Sequence, residues 1–326
     1  MKYLVNVDWL EFTAVSSIDL TTYFNGGIYK INNALSLEII TDWGYHSKNY
    51  NYCFRILYKK VDIGIFYAKV LDMCNILGRN AEFRINNQTL YRHDFGDILT
   101  SIIDGLMLNK TLIKRLDVCY DTDVDILLEF KNLFYNPNIQ FRLKNKIKVN
   151  GTGSADEVLT IGSYKCGTKY IVVYNKTKEI NSASNKEYIR NIHHQVFGYK
   201  NIYRLELRIG SKHADRTNIL VQNLHQATYL ETILNTYIPS LISFKDIKSG
   251  TDINFITIDN SSARIKKVNK PMMKQGDKKH KSIINFLDEE LLSNEFNSKR
   301  KELKSIRDTL LKKYGLETWY LIKKKR

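Results

Sequence analysis

Three short stretches of the 326-residue chain carry polar, reactive side chains at every second position. In KRLDVCYDT, strand alternation puts Arg115, Asp117, Cys119 and Asp121 on one face and Leu116, Val118 and Tyr120 on the other. In YRLELRI, Arg204, Glu206 and Arg208 share a face backed by Leu205, Leu207 and Ile209. In KYIVVYNKTKE, Tyr170, Val172, Tyr174 and Lys176 share a face opposite Ile171 and Val173. Each segment therefore offers an apolar side to a core and a reactive side to a site.

Set side by side, those reactive sides define phosphoryl chemistry. Asp117 and Glu206, on neighbouring strands, can hold a divalent cation such as Mg²⁺ or Mn²⁺, with water in the remaining positions. Asp121 is a further candidate ligand. Such a cation polarises a phosphodiester and neutralises developing charge. A tyrosine beside it can attack phosphorus, but its pKa near 10 needs help. Tyr174 is the candidate nucleophile, and Lys176 the candidate group to stabilise its phenolate or a phosphate oxygen. Arg115, Arg204 and Arg208 could grip a nucleic-acid backbone bidentately, with Lys169 joining that set. Solvent-facing cross-strand ion pairs produce the same alternation. The argument therefore rests on all three segments occurring in order in one basic chain.

That basicity is uneven. The net charge is +16, and residues 261–326 hold 19 Lys/Arg against 8 Asp/Glu. A polyanionic partner is the simplest reason to tolerate such self-repulsion; a solvated tail that aids solubility is the alternative. Cys53, Cys74, Cys119 and Cys166 form no CxxC pair, which argues against a zinc finger or a disulfide framework. The start, MKYLVNVDWLEF, has no signal-peptide pattern, and no run approaches the roughly 18 apolar residues of a membrane span. A cytoplasmic protein without membrane association is expected.

The elements that must position the three segments read as follows. Residues 2–14, 35–41, 51–58, 62–70 and 80–86 alternate as strands, and 96–108 has helical spacing. After the strand LIKRLDVCYDT, the segment DVDILLEFKNLFY reads as a helix. Lysine-rich 140–149 and the turn NGTGSADE lead to a strand at 158–163, a hairpin through Lys165–Thr168, and a strand at 169–176. A helix over SNKEYIRNIHHQVF and a strand at 203–210 complete the set. NGTGSADE lacks the GK[ST] ending of a nucleotide-binding loop. The pattern predicts an α+β fold, a largely antiparallel sheet core with flanking helices, ending near residue 211. Residues 213–245 read as mainly helical, 250–280 as a polar connection, and 281–313 as amphipathic helix. The expected division is thus 1–211 for the catalytic domain and 212–326 for a basic, mainly helical region that binds DNA or forms a homodimer. His193 and His194 read as a surface pair, with a helical placement that brings one of them near the metal as the alternative, and Asp94 as the cap of the helix that follows it.

The ordered set RLDVCYD, YNKTKE and RLELRI resembles the replication initiation factor family. That family includes initiators of small rolling-circle plasmids, related conjugative relaxases and, more distantly, the filamentous-phage gene II protein. VDWLEFT is similar to the family's N-terminal strand, so the matches span residues 7–209. The resemblance implies site-specific nicking of single-stranded DNA by Tyr174, a 5′-phosphotyrosine intermediate and a free 3′-OH primer. Lys176 and Glu179 match the other fixed positions of the tyrosine segment, and Asp117 and Glu206 match the acidic metal positions. Asp121 matches the plasmid-type members better than the phage protein. The implied partners are origin DNA, a host helicase and a polymerase. The rival readings are the same chemistry in a conjugative relaxase or phage initiator, and a non-catalytic DNA-binding protein of the same fold.

Overall fold

A computed structural model gives the architecture. It describes residues 2–18, 27–41, 50, 52–68, 80–143, 147–150, 158–162, 169–182, 186–210, 219–254, 256, 258, 304–305 and 307–308. Two compact units divide the chain, Met1–Val268 and Asn269–Arg326.

The first unit is α+β. Its strands are β1 (Tyr3–Ser16), β2 (Ile28–Lys30), β3 (Leu35–Ile39), β4 (Tyr52–Tyr58), β5 (Val61–Ala68), β6 (Ala81–Ile85), β7 (Leu108–Thr122), β8 (Ile139–Leu143), β9 (Ile147–Asn150), β10 (Val158–Gly162), β11 (Lys169–Asn175), β12 (Tyr203–Gly210), β13 (Ile242–Asp246) and β14 (Asp252–Ile253). Its helices are α1 (Asn87–Leu90), α2 (Phe95–Gly105), α3 (Ile126–Tyr135), α4 (Lys176–Ser182), α5 (Glu187–Phe197) and α6 (Ala227–Leu241). Among the described residues, eleven strands form one sheet in the order β2-β3-β4-β5-β6-β1-β7-β12-β11-β10-β9. Every described pairing in it is antiparallel.

One face of this sheet is the core. Phe12, Phe83, Phe66 and Phe54 occupy register-matched positions on four successive strands and stack with centroid separations of 4.7, 4.7 and 5.6 Å. Such pairs add about 0.5–1.5 kcal/mol each beyond the area they bury. Leu116, Val118, Leu205, Leu207, Ile171 and Val173 continue that face as fully buried residues. Helix α2 offers Phe95, Ile98, Leu99 and Ile102, an i, i+3, i+4, i+7 stripe, and all four are buried. Helix α6 packs on β1, β11 and β12.

Some expectations are corrected. Asp94 does stand just before α2, but its carboxylate makes no capping bond, because Arg92 holds both oxygens at 2.7 Å. The helical reading of 213–245 fails at its end. Ile242–Asp246 is a strand that pairs with Ile139–Leu143, itself unforeseen, in a small three-stranded sheet. Alternating Ile242 and Phe244 are buried there, so a partner a hundred residues away decides their conformation. Helix α6 belongs to the same compact unit as the sheet, which runs past residue 211 to Val268. The hairpin Lys165–Thr168 and most of the expected helix at 281–313 lie outside the described residues.

Candidate active site on the polar sheet face

Strands β7, β12 and β11 lie side by side, so the three reactive segments share one sheet face. Register places Asp117 opposite Arg208, Cys119 opposite Glu206, and Asp121 opposite Arg204. On the other flank Tyr174 lies opposite Arg204, and Tyr170 opposite Arg208. Gly162 faces Tyr170 from β10 at φ 114°, and a Cβ there would lie 2.9 Å from that of Tyr170. Only glycine admits this close strand.

The centre of the face is a chain of hydrogen bonds. Tyr174 donates its hydroxyl to Glu206 Oε2 at 3.1 Å. Arg208 Nε donates to Glu206 Oε1 at 2.5 Å and lies 3.7 Å from Asp117 Oδ2. Arg115 forks onto both oxygens of Asp117, at 3.2 and 2.5 Å. Arg208 also donates to the Tyr170 hydroxyl at 3.1 Å. Asp117 and Glu206 are buried to within 2%. Burial, with the adjacent Glu206 charge adding to it, pushes the Asp117 carboxyl up to about 7 despite Arg115. Burial also lifts the Tyr174 phenol well above its ordinary value; Arg204 opposes this and Glu206 reinforces it.

This electrostatic strain is what a cation would relieve. The donor set of two carboxylates is hard oxygen chemistry, suited to Mg²⁺ or Mn²⁺. Among the described residues no group of three or more His, Cys, Asp or Glu is arranged for a metal, so water and phosphate would have to complete the shell.

The third carboxylate is employed elsewhere. Asp121 is fully buried, and Arg204 binds it with Nε at 2.6 Å and Nη2 at 2.7 Å. His193 Nε2 meets Asp121 Oδ2 at 2.9 Å. Burial alone would raise the Asp121 carboxyl, but Arg204 and His193 hold it down at about 2. Its partners Arg204 and His193 are buried with it, which removes Asp121 from the metal set; Arg115 and Arg208, which bind Asp117 and Glu206, are partly exposed. Arg204 is equally enclosed, with Nη1 on Asp8 Oδ1 at 2.8 Å and Nη2 on the Tyr91 hydroxyl at 2.9 Å. It has no exposed atom for a phosphate and cannot grip DNA as expected. His193 belongs to this buried cluster, not to a surface pair; only His194 is exposed. The helical period of α5 separates them by turning adjacent residues about 100° apart.

Lys176 and Lys169 also change place. The strand stops at Asn175, and Lys176 begins α4, where its buried ammonium pairs with Glu179 at 2.7 Å. It still reaches the site, 5.7 Å from the centroid of the Tyr174 ring. Burial and the nearby Arg204 lower its pKa. Lys169 points to the core side, where it donates to Ser240 and lies 4.8 Å over the Tyr237 ring. The DNA-binding expectation for Lys169 fails because odd-numbered positions of β11 face inward.

Asp8 was missed by sequence reading. A bulge between Val7 and Trp9 inserts it as an extra residue, turning both Asp8 and Trp9 to the polar face. Tyr91 donates to its Oδ1 at 2.5 Å. Arg204 and Lys176 hold its carboxyl well below the usual range against the effect of burial. The available signal was the broken alternation: Val7 and Leu10, three apart, are both fully buried.

Comparison with known proteins adds the following. No protein-family model matches the chain. An 84-residue stretch, 24% of the chain, is 37% identical to part of the chaperone protein DnaJ of Campylobacter hominis and spans 23% of that protein's length. Among solved structures, a rolling circle replication initiator protein from Geobacillus stearothermophilus superposes with a TM-score of 0.46 at 12% identity, over 82% of this chain and 93% of that one. No helix among the described residues is long and apolar enough to cross a membrane.

Proposed function

We propose that this chain nicks and rejoins single-stranded DNA through Tyr174 and initiates rolling-circle replication. The observation that carries the reading is the hydrogen bond from the Tyr174 hydroxyl to Glu206, within a face that also holds Asp117, Arg115, Arg208 and Lys176. A phenol with a raised pKa is a poor nucleophile until a base takes its proton. Glu206 Oε2 is in place to do so.

As the proton moves to Glu206, the Tyr174 oxygen bonds to phosphorus and the bond from phosphorus to the 3′-oxygen breaks. The 3′-oxygen takes a proton from solvent and leaves as a 3′-OH. The 5′ side of the strand stays on Tyr174 as a phosphodiester. Because the bond is exchanged rather than hydrolysed, a later 3′-OH can reverse the step without ATP. Arg208 and Arg115 hold the carboxylates and face the position of the phosphate; Lys176 stabilises the phenolate. Asp117 and Glu206 are the residues that would hold Mg²⁺ or Mn²⁺, which would supply charge neutralisation at the phosphate.

The test incubates the full chain with Mg²⁺ or Mn²⁺ and single-stranded oligonucleotides from its own replicon. A covalent adduct that is lost in Tyr174→Phe supports the reading. An adduct retained in that variant and lost in Tyr170→Phe moves the nucleophile, and no adduct with any strand leaves a DNA-binding protein without this chemistry.

A further inference from the structure

The bulge that places Asp8 on the polar face against Arg204 places Trp9 on the same face, opposite Asp117 on β7. Two guanidinium groups lie close to the Trp9 ring: Arg84 Cζ is 4.5 Å and Arg115 Cζ 4.3 Å from its centroid. The indole N–H is fixed by Glu11 Oε1 at 3.1 Å. Arg84 keeps half of its side chain exposed and meets Glu11 only at 3.9 Å; Arg115 is 38% exposed. Guanidinium on indole is worth about 0.5–1 kcal/mol at an exposed site and needs no ligand for that purpose.

Its position argues for more. A register row runs across the sheet through Trp9, Asp117, Arg208 and Tyr170, with one carboxylate, Asp117, between the two ring–guanidinium pairs. Arg208 lies 5.6 Å over the Tyr170 ring and repeats the pairing at the other end. Rings and guanidinium planes accept bases by stacking, while the outer N–H groups accept phosphates. In-line displacement places the leaving oxygen across phosphorus from the attacking one. Tyr174 lies on the β11 side of Glu206 and Asp117; Trp9 lies on the β1 side.

We infer that Trp9, Arg84 and Arg115 form a track for single-stranded DNA that holds the nucleotides 5′ of the cleaved phosphate. The polarity of the track rests on Tyr174 as nucleophile; the existence of the track does not.

Two measurements separate these parts. Anisotropy of a labelled oligo(dT) 12-mer on the full chain should show affinity lowered about 5- to 150-fold in Trp9→Ala, the range of one lost base stack. Arg84→Ala should reduce the salt slope by about 0.7, the share of one phosphate on a single strand. Arg55→Ala, on the same sheet face but bound to Glu38 and Asp62, should change neither. Unchanged affinity in Trp9→Ala together with an unchanged slope in Arg84→Ala, both with native melting curves, overturns the track. For polarity, 5-iodouracil is placed 5′ or 3′ of the mapped nick, and the crosslinked peptide is identified. Attachment to Trp9 from the 5′ side supports the assignment; attachment from the 3′ side overturns it. If no strand yields an adduct, the nicking reading and the polarity fall together, and the oligo(dT) result still decides the track.

Discussion

The hydroxyl of Tyr174 donates to Oε2 of Glu206 at 3.1 Å, while the other oxygen of that carboxylate accepts from Arg208 at 2.5 Å. One carboxylate thus joins the proposed nucleophile to the groups that would face a phosphate. Glu206→Gln keeps the shape but removes the base. Nicking should slow by about 10²- to 10⁴-fold, the usual worth of a positioned base, with oligonucleotide affinity changed much less. Single-turnover cleavage and anisotropy on the same variant check this; parallel loss of both would assign Glu206 a structural role.

Tyr170 shares the face and accepts from Arg208, whereas it is Tyr174 that donates to Glu206. Tyr170→Phe should therefore still form the covalent adduct. The expected change is a modest rise in KM, from a less well held Arg208. Gel-shift detection of the adduct in both tyrosine variants decides between the two.

Asp117, with its carboxyl pushed up to about 7, resists ionisation in the metal-free protein. Mg²⁺ should relieve that resistance and stabilise the fold near pH 8 by about 2.7 kcal/mol at a hundredfold excess over Kd, read as a higher Tm. In Asp117→Asn the increment should vanish. Thermal melts with Mg²⁺ and with a chelator measure it directly, and an equal increment in the variant places the cation elsewhere.

The Asp121–Arg204 pair is fully buried, and removal of one partner strands the other charge. Asp121→Asn should cost about 3–5 kcal/mol at pH 7. The Asp121 carboxyl lies at about 2 in the fold, below the unfolded value of 3.8, so its stabilisation is complete above about pH 4 and fades as pH falls through 2. Urea midpoints between pH 2 and 7 should show that acid limb in the native chain and a shallower one in the variant.

Lys169 and Arg208 separate buried from site-facing cations. Arg208→Ala should lower the salt slope of single-stranded DNA binding by about 0.7, and Lys169→Met should leave it unchanged. Salt titrations of both variants against oligo(dT) test this; a lower slope for Lys169→Met would mean that β11 exposes both faces.

Period-two patterns in 114–122, 169–176 and 203–210 predict strands with one apolar and one polar side, and the structure bears this out except at Lys176, which opens α4. The same pattern cannot tell which polar residue meets which. Asp117, Asp121, Arg204 and Arg208 look equivalent along their strands, yet one end of the face lies under α5 and the other does not. The covered end became a closed ion-pair cluster around Arg204, and the uncovered end kept Arg115 partly exposed. Asp8 and Trp9 were missed for a different reason: a bulge shifts the phase of alternation between Val7 and Leu10, and a period-two reading assumes one phase along the whole strand.

By itself, then, the sequence determined the α+β class and, within each of three strands, the polar side that holds Asp117, Tyr174 or Glu206, because alternation is a local consequence of strand geometry. Only the tertiary structure decided that Glu206 receives the Tyr174 hydroxyl, that Asp121 and Arg204 neutralise each other, and that Lys169 turns inward. Those outcomes depend on cross-strand register and on which helix covers which part of the sheet, and both are set by contacts between residues far apart in the chain.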